Sequence, residues 1–218
     1  MPGSTIDARA LAQGVLSHCT PLEPDEQQVV RAGQFALLGS VPLTVDQLAH
    51  LVELSPERVL AVFARLPGIA RFDEEGRVVG LLGLSTQRTP HNFEADGRRA
   101  YTWCAWDSLF IPRVIGLTAR VASHCPFTGT PVRLVVGPDG VLEASPPDLR
   151  VSFWVGCGPE RGQGVVATCC PHIHFLGTAA AAERWVSCHP GGLVLAGDEA
   201  WEVARRFVDE VLFGNDRT

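Results

Sequence analysis

The sequence predicts an α+β protein. Residues 24–66 carry three amphipathic segments with helix caps, whereas most of residues 69–175 alternates short apolar runs with Gly, Pro and Asp turns. Two further helical segments, 179–187 and 199–213, close the chain. The length suits one large domain or two small ones, since 218 residues bury a core without disulfide staples.

In an N-terminal extension, residues 1–23, a short amphipathic helix fits 6–16. From Pro24, Asp25 caps a helix in which Val29, Val30, Phe35 and Leu38 recur near helical spacing, and Gly39 stops it. A second helix fits 44–54, with Thr44 as cap and Gln47 at the capping-box position. A third fits 56–66, capped by Ser55, with Pro56 at its first position and Pro67-Gly68 beyond its end. Strand, turn and strand follow at 69–72, 73–76 and 78–84.

Three helices and a hairpin over 24–85 is the order of a winged helix-turn-helix-like domain, which would read DNA with its third helix. That helix offers Arg58 and Arg65 against Glu57, and the hairpin tip is Asp73-Glu74-Glu75, the wrong sign for phosphate. A structural or substrate-covering role is favoured.

Residues 86–99, with Pro90, Asn92, Asp96 and Gly97, read as a linker into a second domain, 100–218. There, 101–111 reads as a short buried helix that can continue over 113–117. A strand fits 119–123, and 132–136 with 141–144 form a hairpin about Pro138-Asp139-Gly140. Strands at 150–155 and 165–175 flank a glycine-rich turn at 156–164. Helices at 179–187, capped by Thr178, and 199–213, capped by Asp198 with apolar face Val203, Phe207 and Val211, complete a small mixed or antiparallel sheet flanked by helices.

Composition excludes several classes. Hydrophobic residues at 46% and charged residues at 19% rule out disorder. The longest apolar runs fall short of the roughly 18 to 20 residues of a membrane span, and no basic segment followed by an apolar one opens the chain, so a cytoplasmic place is expected. A net charge of −6 disfavours nucleic acid and anionic membrane as partners. All 18 basic residues are arginine, which excludes Schiff-base lysine chemistry and a P-loop. Seven cysteines in a reducing compartment argue for metal binding, catalysis or burial rather than a disulfide framework.

Two clusters can carry chemistry. In Trp103-Cys104-Ala105-Trp106-Asp107-Ser108, helical spacing of i and i+3 would set the Cys104 thiol beside the Asp107 carboxylate, where the two can exchange a proton. The plainer alternative is a buried cysteine next to a capping aspartate. In Cys169-Cys170-Pro171-His172-Ile173-His174-Phe175, strand alternation points the two thiols to opposite faces and puts His172 and His174 on the face of Cys170. A Cys2His2 zinc site would want a C-x2-4-C knuckle, which the chain lacks, and a cysteine–histidine hydrolase would pair Cys104 with His172 or His174. Cys125, in His124-Cys125-Pro126-Phe127-Thr128-Gly129, reads as packing, and Cys19, Cys157 and Cys188 as bystanders.

The run Tyr101-Thr102-Trp103-Cys104-Ala105-Trp106-Asp107-Ser108-Leu109-Phe110-Ile111-Pro112, then Thr118-Ala119-Arg120-Val121-Ala122-Ser123-His124-Cys125, then Cys170 ahead of His172-Ile173-His174-Phe175, resembles bacterial organomercurial lyases (alkylmercury lyases). The likeness continues through Trp185, Ser187 and His189 and covers most of residues 24–213. It implies cleavage of carbon–mercury bonds by two cysteines and an aspartate. By position these are Cys104, Cys170 and Asp107, which are also the mercury ligands, with Cys125 as a structural cysteine. The spacing to His172 selects Cys170 over Cys169 and leaves open whether Cys169 assists. Mercury would be substrate and product, with no resident cofactor. Organomercurials, cellular thiols and, as acceptor of Hg(II), mercuric reductase are the implied partners.

The chemistry agrees with the residues. Mercury is a soft ion and thiolates are the softest protein ligands, so two cysteines capture it where carboxylates and imidazoles do not. A second thiolate pushes electron density onto the carbon, which can then take a proton from Asp107. An ordinary aspartate titrates near about 3.9, so keeping that proton requires an apolar pocket or a neighbouring thiolate. Trp103, Trp106 and Phe110 could wall such a substrate pocket. Two competing readings are a mercury- or copper-responsive winged-helix regulator, disfavoured by the acidic hairpin, and a non-catalytic thiol metal-binding protein, disfavoured by Asp107.

Overall fold

The computed structural model describes residues 21–154 and 170–214. The helix expected at 6–16, the turn at 156–164, and Cys19, Cys157 and Cys169 lie outside the described residues.

Helices α1 (Pro24–Leu37), α2 (Val45–Leu51) and α3 (Pro56–Arg65) come first. Glu23, not Asp25, occupies the cap of α1: its N–H donates to Glu26 Oε2 at 2.9 Å, and Asp25 accepts from Arg58 of α3 instead. At α2 the expected reciprocal cap forms, with the Gln47 N–H on Thr44 Oγ1 at 3.1 Å and the Thr44 N–H on Gln47 Oε1 at 2.8 Å. The helix ends at Leu51, three residues short of expectation, where the chain turns through Glu53 at φ 53°. Val29, Leu48, Ala49, Val52, Val59 and Val62 close a core between the three helices.

The hairpin of β1 (Ala70–Phe72) and β2 (Val78–Leu81) follows, and β3 (Leu84–Ser85) returns along β2. Residues 86–99 are not a linker: they hold β4 (His91–Ala95) and the start of β5 (Arg98–Thr102). Asp96 and Gly97, both at positive φ, are the two-residue turn of this hairpin, so the same Asp-Gly that reads as loop composition serves strand reversal. With β6 (Ala119–His124), β7 (Pro131–Gly137) and β8 (Gly140–Ser145) they form an antiparallel sheet of order β1-β2-β3-β5-β4-β6-β7-β8. Phe93, Val121 and Leu134 point to the core and Asn92, Arg120 and Arg133 to solvent. In a second sheet β9 (Arg150–Trp154) lies between β10 (Phe175–Leu176) and β11 (Gly192–Ala196), all antiparallel; β11 falls between the two closing helices, where no strand is expected.

The helix expected at 101–111 starts later, as α4 (Asp107–Ile115). Tyr101 and Thr102 belong to β5, paired with Asn92 and His91 on one side and Ser85 and Leu84 on the other. The helix continues past Pro112 because Leu109, Ile111 and Val114 are buried, and Gly116 at φ 70° ends it. The helix α5 (Ala179–Cys188) is capped by Thr178 as expected. The last, α6 (Gly197–Arg206), opens with the Ala196 N–H on Glu199 Oε2 at 2.8 Å rather than with an Asp198 cap, and widens into a π turn over Phe207–Leu212. Because α4 packs on α1, β7 and α6, it lies in the main core, which includes Phe93, Phe110, Phe153 and Val208.

Candidate active site

The turn 103–106 between β5 and α4 carries Cys104, and Asp107 is the first residue of α4. The two are therefore not on one helix face. Instead the Asp107 carboxylate reaches back and its Oδ2 accepts the Cys104 N–H at 2.7 Å. Thr102, at the end of β5, holds the turn from below: its hydroxyl donates to the Cys104 carbonyl at 3.0 Å and shares a 2.7 Å hydrogen bond with the Ser108 hydroxyl. Both hydroxyl residues are fully buried, so each bond replaces one that water would have made.

Cys170 arrives from the other end of the chain. It opens a one-turn 3-10 helix, Cys170–His172, and is not on a strand, so the expected alternation with His172 and His174 does not apply. The segment is fastened by buried Ser152 of β9, whose hydroxyl donates to the His172 carbonyl and accepts the His174 N–H, each at 2.9 Å. The Ser152 N–H adds a bond to the His174 carbonyl at 3.0 Å. A further bond, Ala105 N–H to the Ile173 carbonyl at 3.3 Å, joins the two cysteine segments directly.

The result is one compact group. The sulfurs of Cys104 and Cys170 and a carboxylate oxygen of Asp107 all lie within 4.8 Å of one another, and among the described residues no other group of three such ligands occurs. Cys104 and Asp107 are buried, and Cys170 is partly open.

Burial governs the protons of this group. It raises the Asp107 carboxyl to about 6, against lowering by hydrogen bonds from Cys104 and by the more distant charge of Arg71. It also pushes the Cys104 thiol well up, aided by Cys170 and by the Asp107 charge. Near neutral pH the proton of this pair is therefore on the Cys104 sulfur, next to a carboxylate ready to take it. Of the two causes anticipated for a raised aspartate, the apolar surroundings are the one that acts.

The histidines stand apart. The His172 ring packs against Trp154 at 4.6 Å and His189 at 5.5 Å, and His189 stacks on Trp185 at 4.3 Å. No imidazole joins the two sulfurs and the carboxylate, so no zinc site of three or more such ligands forms among the described residues, and the groups that act on the Cys104 thiol are Cys170 and Asp107 rather than a histidine. Cys125 is buried with Leu176, Ala181 and Trp185 in a separate cluster. Burial raises its thiol, but the Thr128 hydroxyl and the N–H groups of Gly177, Phe127 and Thr128 outweigh this and lower it.

The three aromatic residues divide. Trp106 and Phe110 meet at 5.4 Å and continue into Phe207, 5.0 Å from Trp106, and Phe153, 6.0 Å from it. This apolar cluster around Trp106 draws in Phe153 from β9, which no local pattern marked, and Phe207 from the last helix, where it lay on the expected apolar face. Trp103 turns the other way, against Gly80 and under the Arg71 guanidinium at 4.9 Å. Ser152, Thr102 and Ser108 were also missed. The latter two lie inside the Tyr101–Pro112 motif, whereas Ser152 carries no sequence signal at all.

Residues 84–209 match the family model MerB, alkylmercury lyase. An alkylmercury lyase of Pseudomonas putida is 37% identical over 213 residues, 98% of this chain and 97% of the relative. One from Streptomyces lividans is 37% identical over 174 residues, 80% of this chain and 79% of the relative, and one from Bacillus cereus is 38% identical over 169 residues, 78% and 75%. A crystal structure of the mercury-bound form of MerB2 shares the fold with a TM-score of 0.70 at 20% identity, covering 93% of this chain and 99% of that one.

Proposed function

The chain belongs to the alkylmercury lyase family and is an enzyme that cleaves carbon–mercury bonds; on that premise we propose that Cys104, Cys170 and Asp107 perform the cleavage by protonolysis, R–Hg⁺ + H⁺ giving R–H + Hg²⁺, without a resident cofactor. The observation that carries this assignment is the meeting of two thiols and one carboxyl within 4.8 Å, with no imidazole among them.

Each step follows from the burial and chemistry of these groups. Cys170 is the less buried of the two cysteines and takes R–Hg⁺ first, its sulfur bonding mercury as its proton leaves to solvent. The buried Cys104 then adds to mercury and its proton passes to Asp107, whose carboxylate already faces the turn. The mercury centre now carries two sulfurs and the carbon. Protonated Asp107 delivers its proton to that carbon as the carbon leaves with the electron pair of the C–Hg bond. Hydrocarbon departs, Hg(II) stays on the two thiolates, and Asp107 is again ionised. Trp106 and Phe110 serve as the dry wall of the substrate pocket on the Asp107 side, and Trp103 as a flanking support.

Incubation with phenylmercury and excess thiol in D2O should release monodeuterated benzene in proportion to mercury consumed. Absence of benzene would sink the assignment.

The reading extends to the rest of the chain. Residues 24–85 act as a winged helix-turn-helix-like unit with a structural role, and the catalytic residues belong to the part from 100 onward. What supports the structural role is that the cations suited to phosphate are already engaged. Arg58 pairs with Asp25 at 2.6 Å, Arg65 with Glu26, and Arg77 with Asp73 at 2.8 Å and Glu75 at 3.0 Å. This disfavours the DNA-binding regulator. Cys125, in its own cluster, serves structure. A reducing cytoplasm suits the free thiols Cys104, Cys125, Cys170 and Cys188, and no helix among the described residues is long and apolar enough to cross a membrane. Cellular thiols or mercuric reductase then take the Hg(II) by thiol exchange, for which soft ligands are required.

A further inference from the structure

Strands β2 and β3 are joined by Leu82 and Gly83, both in the left-handed region at φ 36° and 90°. Three hydrogen bonds hold this loop. The Leu82 N–H donates to the Ile69 carbonyl at 2.7 Å, Gln34 Nε2 of α1 donates to the Leu82 carbonyl at 2.7 Å, and the Gly83 carbonyl accepts the Trp103 N–H at 2.8 Å. Gln34 is fully buried and reaches the loop because its neighbour Gly33 lets α1 approach: a Cβ there would stand 2.4 Å from Leu81 Cδ2.

Gly83 lies directly against the acid of the site. A Cβ on it would stand 2.7 Å from both Cγ and Oδ1 of Asp107 and 2.9 Å from the Asp107 Cβ, whereas one on Gly97, also at positive φ, would meet nothing within 4 Å. Gly83 thus needs its missing side chain for two reasons, its backbone conformation and the space that Asp107 occupies.

We propose that Gly83 is a positioning residue for Asp107, and that the loop it shares with Leu82, clamped by Gln34, is the wall that keeps the carboxyl turned toward Cys104 and Cys170. This rests on the lyase reading above. The loop cannot recede, since its backbone is tied to Ile69 just ahead of β1, to α1 and to the Cys104 turn, so a side chain at position 83 must be accommodated by displacing the carboxyl. It also gives the three-helix unit a part in the chemistry, through Gln34.

The test compares wild type, Gly83→Ala, Gly97→Ala and Gln34→Met on phenylmercury, measuring kcat, KM and stoichiometric mercury capture by loss of titratable thiol. For Gly83→Ala we expect kcat to fall on the order of tenfold to a hundredfold, the cost of displacing a reacting group by about 1 Å, with KM and capture as in wild type. The control Gly97→Ala pays backbone strain alone and should keep kcat. For Gln34→Met, loss of the hydrogen bonds from Nε2 to the Leu82 carbonyl and, at 3.4 Å, to the Leu81 carbonyl should lower kcat about threefold to tenfold with capture intact. Should Gly83→Ala fail to fold, Gln34→Met decides by the same split. Unchanged kcat, parallel loss of kcat and capture, or an equal loss in Gly97→Ala would overturn the inference alone. A wild-type enzyme that yields no benzene would overturn the lyase reading and this inference with it.

Discussion

The Asp107 carboxylate accepts the backbone N–H of Cys104 at 2.7 Å, so carboxylate and thiol are fixed to one another by the turn between them as well as by their side chains. This bond orients the acid before any substrate is present, and buried Thr102 and Ser108 brace the same turn.

Replacing either thiol should stop turnover. Cys104→Ser and Cys170→Ser are each expected to reduce benzene release from phenylmercury to background, because a hydroxyl is too hard a ligand for mercury. Cys169→Ser should keep most of the rate. The opposite pattern within the doublet would transfer the role to Cys169.

For Asp107→Asn, capture and cleavage should separate. Both sulfurs remain, so mercury binding measured by equilibrium dialysis should match wild type, while kcat falls on the order of a hundredfold to ten-thousandfold through loss of the proton carrier. Loss of binding as well would show that the carboxylate is needed to hold mercury.

The same variant should change stability with pH. The folded Asp107 titrates at about 6, above its ordinary 3.8, so the native state binds more protons than the unfolded chain between these values. Wild-type stability therefore falls as pH rises through that window, and the penalty is complete above it. Asparagine carries no such charge, so at pH 7.5 Asp107→Asn should be more stable on the order of 2 to 3 kcal/mol, with the difference gone below about pH 3.5. Urea melts at the two pH values check this, and equal gains at both would refute it.

Thiol reactivity should follow exposure. A maleimide pulse read by peptide mass spectrometry should label exposed Cys188 and half-buried Cys170 well before buried Cys104 and Cys125. The raised Cys104 thiol adds to its protection, since the thiolate is the reactive form. Labelling of Cys104 ahead of Cys170 would reverse the proposed order of mercury capture.

Removing the clamp on the Cys170 segment should be costly. In Ser152→Ala the His172 carbonyl and the His174 N–H each lose their partner, a loss on the order of 1 to 3 kcal/mol in a denaturant melt. An unchanged midpoint would mean that this hydroxyl is dispensable.

Much of this molecule is written in short stretches of sequence. The caps at Thr44, Ser55 and Thr178 depend on partners three residues away, and all three were legible. The nearness of Cys104 and Asp107 is equally local, although a turn and a backbone hydrogen bond produce it, not a shared helix face. Where local signals compete, sequence misleads. The Asp96-Gly97 pair serves equally for a linker or a hairpin, and only the pairing of β4 with β5, inside a sheet that β6 extends, settles it.

The sequence alone determined which residues stand as candidates for the chemistry: two soft ligands and an acid in ordered motifs, because residue identity sets ligand softness and proton affinity. Tertiary structure decided their arrangement and their protons. Ser152 fastens Cys170 beside Cys104 from a strand without any motif, Phe153 and Phe207 close an apolar cluster on Trp106, burial raises Asp107, and Gly83 leaves the space in which its carboxyl stands. These contacts join positions far apart in the chain. They depend on burial and long-range strand pairing, which no window of a few residues encodes.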